Sequence, residues 1–132
     1  MARTQPGGLK RARLRSAADS IETLRSALRR FAAERDWDQF HLPKNLAIAL
    51  SVEAAELLEH FQWMPDRESA ALAPEKRARV QEELADVLLY LIRLADKLDI
   101  DLARAAVDKM AVNAKKYPVR KARGNSKKYT DL

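Results

Sequence analysis

Apolar residues recur along the chain at helical intervals and predict an all-α protein. In the first of four predicted helices they follow steps of three and four residues, as on one face of an amphipathic helix. Asp19, with Glu22 three residues later, matches a capping box, so we expect this helix to begin near Asp19 and to run to about Arg35. Its apolar positions are Ile21, Leu24, Ala27, Leu28 and Phe31.

Prolines set the limits of the other three predicted helices. We expect these helices over residues 43–64, 75–98 and 102–117, with residues 65–73 as a loop and Asp101 as the cap of the last helix. The three glycines all lie close to the chain ends, so the middle of the chain lacks the residues that form hairpin turns. Short connections between long helices favour an antiparallel four-helix bundle.

Composition places the chain among globular proteins of one domain. Of its 132 residues, 47% are hydrophobic and 33% are charged, which excludes a disordered polyelectrolyte. The absence of cysteine excludes disulfides, thiolate metal sites and cysteine nucleophiles, and a reducing cytoplasm is the expected location. No run reaches the roughly 18 apolar residues that a membrane span needs, so we expect no membrane association.

The net charge of +6 is unevenly distributed. Residues 1–15 carry five basic residues and no acid, and residues 115–132 carry seven basic residues and one acid, whereas the segment between them has 13 basic and 18 acidic residues. An acidic body with cationic ends is not typical of a nucleic-acid-binding domain. We therefore divide the chain into a basic, disordered arm (1–18), a helical domain (19–118) and a basic tail (119–132).

Two acidic pairs interrupt the most apolar helices. Glu53 and Glu56 lie in the second helix and Glu83 and Asp86 in the third, each pair spaced so that both carboxylates project from one helix face. Unpaired carboxylates are costly to bury and repel one another, and a divalent cation would relieve both costs. Ligands that are all oxygen favour Mg²⁺ or Mn²⁺ over zinc. The alternative is that these acids form surface salt bridges with Lys and Arg.

The same acids carry a family resemblance. The pattern Glu53-x-x-Glu56, a gap of 26 residues and then Glu83-x-x-Asp86 resembles the signature of the all-α NTP pyrophosphatases, the MazG-like superfamily. Further segments make the chain, from about Ile21 to its end, similar to the dCTP pyrophosphatase branch. These segments are WDQFHLPKN at 37–45, FQW at 61–63, EELADVLLYL at 82–91, K-M-x-x-N at 109–113, KYP at 116–118 and RGNSKKYTDL at 123–132.

The resemblance implies an Mg²⁺-dependent hydrolase that converts a nucleoside triphosphate, dCTP or a modified dCTP above all, to the monophosphate and pyrophosphate. It assigns metal binding and catalysis to Glu53, Glu56, Glu83 and Asp86, with Mn²⁺ as a substitute metal, and leaves open which of them accepts the proton of the attacking water. It also implies a homotetramer built as a dimer of dimers, with active sites near the subunit contacts.

The resemblance also assigns residues to the substrate. Aromatic rings can stack on a base at roughly 1–3 kcal/mol per base, although any single tryptophan could instead be a core anchor. Lys109 and Asn113 share a polar stripe with Lys116 on the fourth helix, which either meets phosphate oxygens or is simply solvated. The substrate-binding candidates are Trp37, Asp38, Gln39, Phe40, His41, Trp63, Tyr90, Lys109 and Asn113.

Two positions depart from the family pattern. Leu28 stands where the branch often carries a histidine, so the substrate contact of that histidine is not expected in this chain. Val52 stands where the wider family carries a glutamate, which predicts fewer or more weakly bound metal ions.

Two other hypotheses remain open. A sister enzyme of the same superfamily, dUTPase-like or hydrolysing phosphoribosyl-ATP, would share the helical carboxylates and differ in the pocket. A helical module that binds nucleic acid or protein through the basic ends would explain the terminal charges, but it has no recognition-helix pattern and leaves the acidic pairs unexplained.

Overall fold

The computed structural model describes the backbone of residues 6–132 and the side chains from Asp19 onward. This part of the chain is helical and contains no strand, so the predicted all-α class is confirmed. Its elements are α1 (Pro6–Glu34), α2 (Pro43–Glu59), α3 (Asp66–Ser69), α4 (Pro74–Lys97), α5 (Leu102–Lys116), α6 (Val119–Ala122) and a 3₁₀ turn (Tyr129–Asp131).

Helix α1 begins earlier than the sequence predicts. It includes Pro6, whereas the capping pattern placed its start near Asp19, so that predicted start is wrong. The segment upstream of Asp19 is rich in Ala, Leu, Arg and Lys, all of which favour helix, and proline is tolerated in a first turn. Residues 1–5 and the side chains of residues 6–18 lie outside the described part, and the basic arm over residues 1–18 stays a prediction.

Helix α2 ends sooner than predicted. It stops at Glu59 rather than near Met64, because the chain tightens there into turns of three-residue spacing: His60 N–H donates to Leu57 O and Phe61 N–H to Leu58 O. The predicted loop at 65–73 also contains the one-turn helix α3. The limits of α4 and α5 agree with the prediction to within one residue.

The chain divides into two compact units, Met1–Ile100 and Asp101–Leu132. In the first unit, α4 packs against both α2 and α1. The buried apolar side chains of this core are Ala32, Leu46, Val80, Ile92 and Ala95. Helix α4 is therefore the central element of the unit, and its side chains can meet those of both neighbours.

Helices α1 and α4 are each terminated by an aspartate with a left-handed backbone conformation, at a position where glycine is usual. Asp36 has φ 53° and Asp99 has φ 54°. Beyond Asp36, Trp37 N–H donates to Ala32 O at 2.9 Å, and beyond Asp99, Ile100 N–H donates to Ala95 O at 2.9 Å. These are Schellman ends. The first one turns the chain sharply, so that Trp37 folds back onto α1, where its ring lies edge-on to Phe31 at 5.7 Å.

A buried ion cluster joins α1 to α4. The Asp96 side chain is only 3% exposed, and it accepts hydrogen bonds from Arg25 at 3.2 Å and from Arg29 at 2.6 and 2.7 Å. Nη1 of Arg93, one turn earlier on α4, lies 3.5 Å from Oδ2 of the same carboxylate. Arg29 and Arg25 lower the pKa of Asp96 below its ordinary value, because both guanidinium groups donate to the carboxylate.

The second unit starts at a helix cap and ends in ordered turns. Arg104 N–H donates to Asp101 Oδ1 at 3.0 Å, which confirms the predicted cap of α5. The C-terminal segment is not extended chain: Tyr129 in the 3₁₀ turn packs edge-on against Tyr117 at 6.0 Å, and Lys116 Nζ lies 4.8 Å from the Tyr129 ring. No helix of residues 6–132 has both the length and the apolar character to cross a bilayer.

Candidate active site

Two helices bring three carboxylates together. Glu53 and Glu56 project from α2, and Glu83 projects from the facing α4; one carboxylate oxygen of each lies within 4.8 Å of the others. We call these three residues the acid cluster. Glu53 and Glu83 are half-buried and Glu56 is exposed, so the acid cluster is open to solvent. Such a set of oxygen ligands fits a hard divalent cation.

Burial and the neighbouring acids disfavour the ionised form of Glu53. Burial raises the pKa of Glu53 to about 7, helped by a hydrogen bond with Glu56 and by the negative charges of Glu56, Asp86 and Glu83. At neutral pH the free cluster therefore holds a proton for part of the time. A cation would displace that proton and remove the repulsion, so the donor set fits a metal ion on its chemistry as well as on its distances.

Asp86 connects the acid cluster to a neighbouring pocket. It lies one turn after Glu83 on α4, and its charge is among those that raise the pKa of Glu53. Asp86 is not one of the three carboxylates of the acid cluster, whose oxygens lie within 4.8 Å of one another. Asp86 instead lines a cavity of about 230 Å³ between α1, the 37–41 segment and α4. The lining residues of this aromatic pocket are Leu28, Phe31, Ala32, Trp37, His41, Asp86, Leu89, Tyr90 and Arg93.

The aromatic pocket has the size and lining of a site for a flat ring. Its volume is below the roughly 300–1,000 Å³ of pockets for drug-sized ligands, so it suits one base rather than a whole nucleotide. Trp37, His41 and Tyr90 supply ring surfaces, and the Trp37 and His41 rings lie edge-on to each other at 6.1 Å. Leu28, where a histidine was expected, makes part of the α1 wall apolar.

The structure separates the other substrate candidates of the 37–41 segment from this pocket. Asp38 accepts hydrogen bonds from Arg93 and, at 3.1 Å, from Lys97, so it pairs with cations of α4. Gln39 Nε2 donates to the Asp36 carboxylate at 2.9 Å and to Asp36 O at 3.1 Å. Phe40 is exposed and does not line the pocket. In this chain, Trp37 and His41 are the members of the segment that face the cavity.

Three remaining candidates lie elsewhere in the chain. Trp63, in the turns after α2, is 88% exposed and is not part of the pocket lining. Lys109 and Asn113 are exposed on α5, in the second unit. Their contacts with substrate remain predictions.

Sequence reasoning missed the charged residues that support the site. Arg93 was not among the predicted site residues, yet its side chain is only 5% exposed and its Nε donates to His41 Nδ1 at 3.1 Å. Lys76 Nζ lies 3.3 Å from His60 Nδ1, and His60 Nε2 lies 3.7 Å from Glu83 Oε1. The available signal was position: Arg93 follows Asp86 by seven residues, two turns along one face of α4.

Comparison with known proteins agrees with this arrangement. The model of the MazG-like family matches residues 48–132, which include the acid cluster, Asp86 and Tyr90. Over 119 residues the chain is 50% identical to dCTP pyrophosphatase 1 of Rattus norvegicus and 47% identical to that of Homo sapiens, covering 89% of this chain and 70% of each relative. A crystal structure of a pyrophosphatase from Archaeoglobus fulgidus aligns with a TM-score of 0.70 and 43% identity over 75% of this chain and 93% of that one.

The chain belongs to the MazG-like family. The family resemblance read from the two acidic pairs is therefore confirmed, including its dCTP pyrophosphatase branch.

Proposed function

We propose that this protein hydrolyses dCTP to dCMP and pyrophosphate with the help of Mg²⁺. By its family and its relatives the protein is a nucleotide pyrophosphohydrolase. The proposal rests chiefly on one observation: a pocket of the size of a base lies next to a cluster of carboxylates. Asp86 lines the pocket, and Glu83, one turn earlier on α4, belongs to the acid cluster. A nucleotide lying across α4 would have its base on one side of that turn and its phosphates on the other.

The metal would be held by Glu53, Glu56 and Glu83, with Asp86 as a further ligand toward the substrate. When bound, Mg²⁺ neutralises the triphosphate and favours attack of water on the α-phosphorus. Mn²⁺ would serve as a substitute because it also prefers oxygen ligands. Burial and the neighbouring acids raise the pKa of Glu53 to about 7, which makes Glu53 our candidate to accept the proton of the attacking water.

The base would enter the aromatic pocket. Trp37 and Tyr90 would provide stacking surfaces, and His41 would supply a polar contact to the base edge. Lys109 and Asn113 would contact phosphate or sugar oxygens. Asp38, Gln39 and Phe40 would act on the substrate indirectly, by fixing the segment that carries Trp37 and His41.

A homotetramer, built as a dimer of dimers, is part of the proposal. Trp63 and the α2 residues Ile48, Val52 and Leu58 are each at least half exposed, which is unusual for large apolar side chains in such number. Covering them with other subunits would remove this apolar area from water. It would also give Trp63 a route to an active site, since it lies outside the pocket of its own chain.

The test is nucleotide hydrolysis by the purified protein. Each nucleoside triphosphate is incubated with Mg²⁺, with and without a chelator, and monophosphate and pyrophosphate are quantified. Chelator-sensitive formation of dCMP and pyrophosphate, in equal amounts and faster than for the other nucleotides, is the expected result. A preference for dUTP would contradict the proposed substrate and favour a dUTPase-like sister enzyme. Release of orthophosphate instead of pyrophosphate would contradict the proposed reaction.

A further inference from the structure

We propose that Arg93 is a positioning residue that holds His41 in its Nε2–H tautomer, so that His41 offers a hydrogen-bond donor to a base in the aromatic pocket. The inference rests on the proposed function and concerns how that site selects its base. A donor at this point matches the unprotonated N3 of cytosine and mismatches the N3–H of uracil and thymine. Arg93 would thus favour cytosine through its effect on His41.

The hydrogen bond between Arg93 and His41 has a fixed direction. Arg93 Nε donates to His41 Nδ1 at 3.1 Å. A guanidinium has only donors and stays protonated in proteins, so the bond requires a lone pair on Nδ1. A neutral imidazole with Nδ1 unprotonated carries its hydrogen on Nε2. Nε2 is the ring nitrogen that remains to meet a ligand.

Arg93 is held in place on α4. Its side chain is 5% exposed, Nη2 donates to Asp38, and Nη1 lies 3.5 Å from Asp96 Oδ2. Both carboxylates are held by further cations, Asp38 by Lys97 and Asp96 by Arg29. With its two terminal nitrogens fixed by acids, the guanidinium directs Nε at the histidine.

The surroundings of His41 favour its neutral form. Burial and the positive charge of Arg93 lower the pKa of His41, with a smaller contribution of the same sign from Lys97 and an opposing one from Asp38. A protonated ring would also place an Nδ1–H against Arg93. The neutral form is the one whose two nitrogens differ, so in this form the tautomer decides what a ligand meets.

His41 lies in the wall of the pocket that would receive the base. His41 and Arg93 both line the aromatic pocket, together with Trp37 and Tyr90, whose rings would hold a base by stacking. Stacking accepts any base, because every base has a π-face. Discrimination among bases needs a polar group of defined direction, and the His41 Nε2–H is a donor that the structure holds in one direction.

Nuclear magnetic resonance of the histidine side chains in the free protein tests the tautomer directly. The chain has only two histidines, so His60 serves as an internal reference. Long-range ¹⁵N–¹H correlation should show His41 protonated at Nε2 alone near neutral pH. A His41 protonated at Nδ1, or a mixture of tautomers, would overturn the inference without any variant and whatever the enzyme hydrolyses.

Substitution of Arg93 tests the effect on selectivity. In Arg93→Met, we expect His41 to become a mixture of tautomers and the preference for dCTP over dUTP, measured as a ratio of kcat/KM, to fall about tenfold, the worth of one hydrogen bond. Arg25→Met is the matched control: it removes another arginine from Asp96 while Arg29 still holds that carboxylate, it makes no hydrogen bond to His41, and it should leave both the tautomer and the preference unchanged. An equal loss of preference in both variants would show a merely structural role.

A rescue covers the case in which Arg93→Met folds poorly. The amide nitrogen of a glutamine can reach the position of the histidine Nε2, and it carries its hydrogens without depending on a tautomer or on pH. His41→Gln, which leaves Arg93 in place, should therefore keep most of the dCTP preference. Loss of the preference in His41→Gln, in a protein that still hydrolyses dCTP, would contradict the proposed donor while leaving the proposed function intact.

Discussion

Arg29 holds Asp96 through two hydrogen bonds, from Nε to Oδ2 at 2.7 Å and from Nη2 to Oδ1 at 2.6 Å, and so fastens α1 to α4 beside the aromatic pocket. Bidentate pairs of this kind are the strong class of ion pair. Arg25 and Arg93 complete the shell of cations around one buried carboxylate.

We expect Asp96→Asn to lower the free energy of unfolding by about 3 kcal/mol, because it leaves buried Arg93 without half of its counter-charge. Urea denaturation followed by circular dichroism measures the change. Asp108→Asn is the control: Asp108 pairs with Arg104 at 3.2 Å on the open surface of α5, and its loss should cost less than about 0.5 kcal/mol. Equal effects in the two variants would show that burial of Asp96 contributes nothing.

The same carboxylate predicts sensitivity to acid. The folded protein lowers the pKa of Asp96, so its stabilising effect is complete above the ordinary value of 3.8 and is lost as pH falls through the lower folded value. Wild-type stability should therefore decline below about pH 4 more steeply than that of Asp96→Asn. If the stabilities of wild type and Asp96→Asn fell in parallel below pH 4, Asp96 would not be the group responsible for the sensitivity to acid.

Glu53→Gln should reduce the rate of dCTP hydrolysis more than about 100-fold, since it removes a ligand and a charge from the acid cluster. Helicity should be unchanged. Glu82→Gln provides the comparison: Glu82 is the neighbour of Glu83 in sequence, is exposed and lies outside the cluster, and its variant should retain nearly the wild-type rate. A fully active Glu53→Gln would remove the acid cluster from the mechanism.

Metal binding should strengthen as pH rises through about 7. The folded state raises the pKa of Glu53 from 4.5 to about 7, so the group's contribution to stability is fully present below about 4.5 and is lost as pH rises through 7. A cation binds the deprotonated form and reverses that loss. The increase in Tm on addition of Mg²⁺ should therefore grow between about pH 6 and 8, and this growth should vanish in Glu53→Gln.

Asp99→Gly should raise the free energy of unfolding by about 0.5 kcal/mol, because Asp99 holds a left-handed backbone, φ 54°, that glycine adopts without strain. Asp99→Ala should lower it. Asp36→Gly, at the matching position after α1, should gain less, since Asp36 also accepts a hydrogen bond from Gln39 at 2.9 Å. Thermal or urea unfolding of the three variants distinguishes strain from hydrogen bonding.

Much of the local structure could be predicted from the sequence. The limits of α4 and α5, the Asp101 cap and the pairing of acids on single helix faces depend on spacing and on residues close in the chain. The same local rules missed the start of α1 at Pro6 and the end of α2 at Glu59. Helix ends depend on small differences in backbone hydrogen bonding, which a capping pattern alone does not settle.

What the sequence determined by itself was therefore the set of helices and which side chains share a face, because a helix fixes those relations within four residues. Only the tertiary structure decided which faces meet. The packing of α2 on α4 brought Glu53 within 4.8 Å of Glu83, and the packing of α1 and the 37–41 segment on α4 turned Asp86 toward a ring-sized pocket. It also buried Arg93 against His41, 52 residues away in the chain, a relation that no local pattern contains.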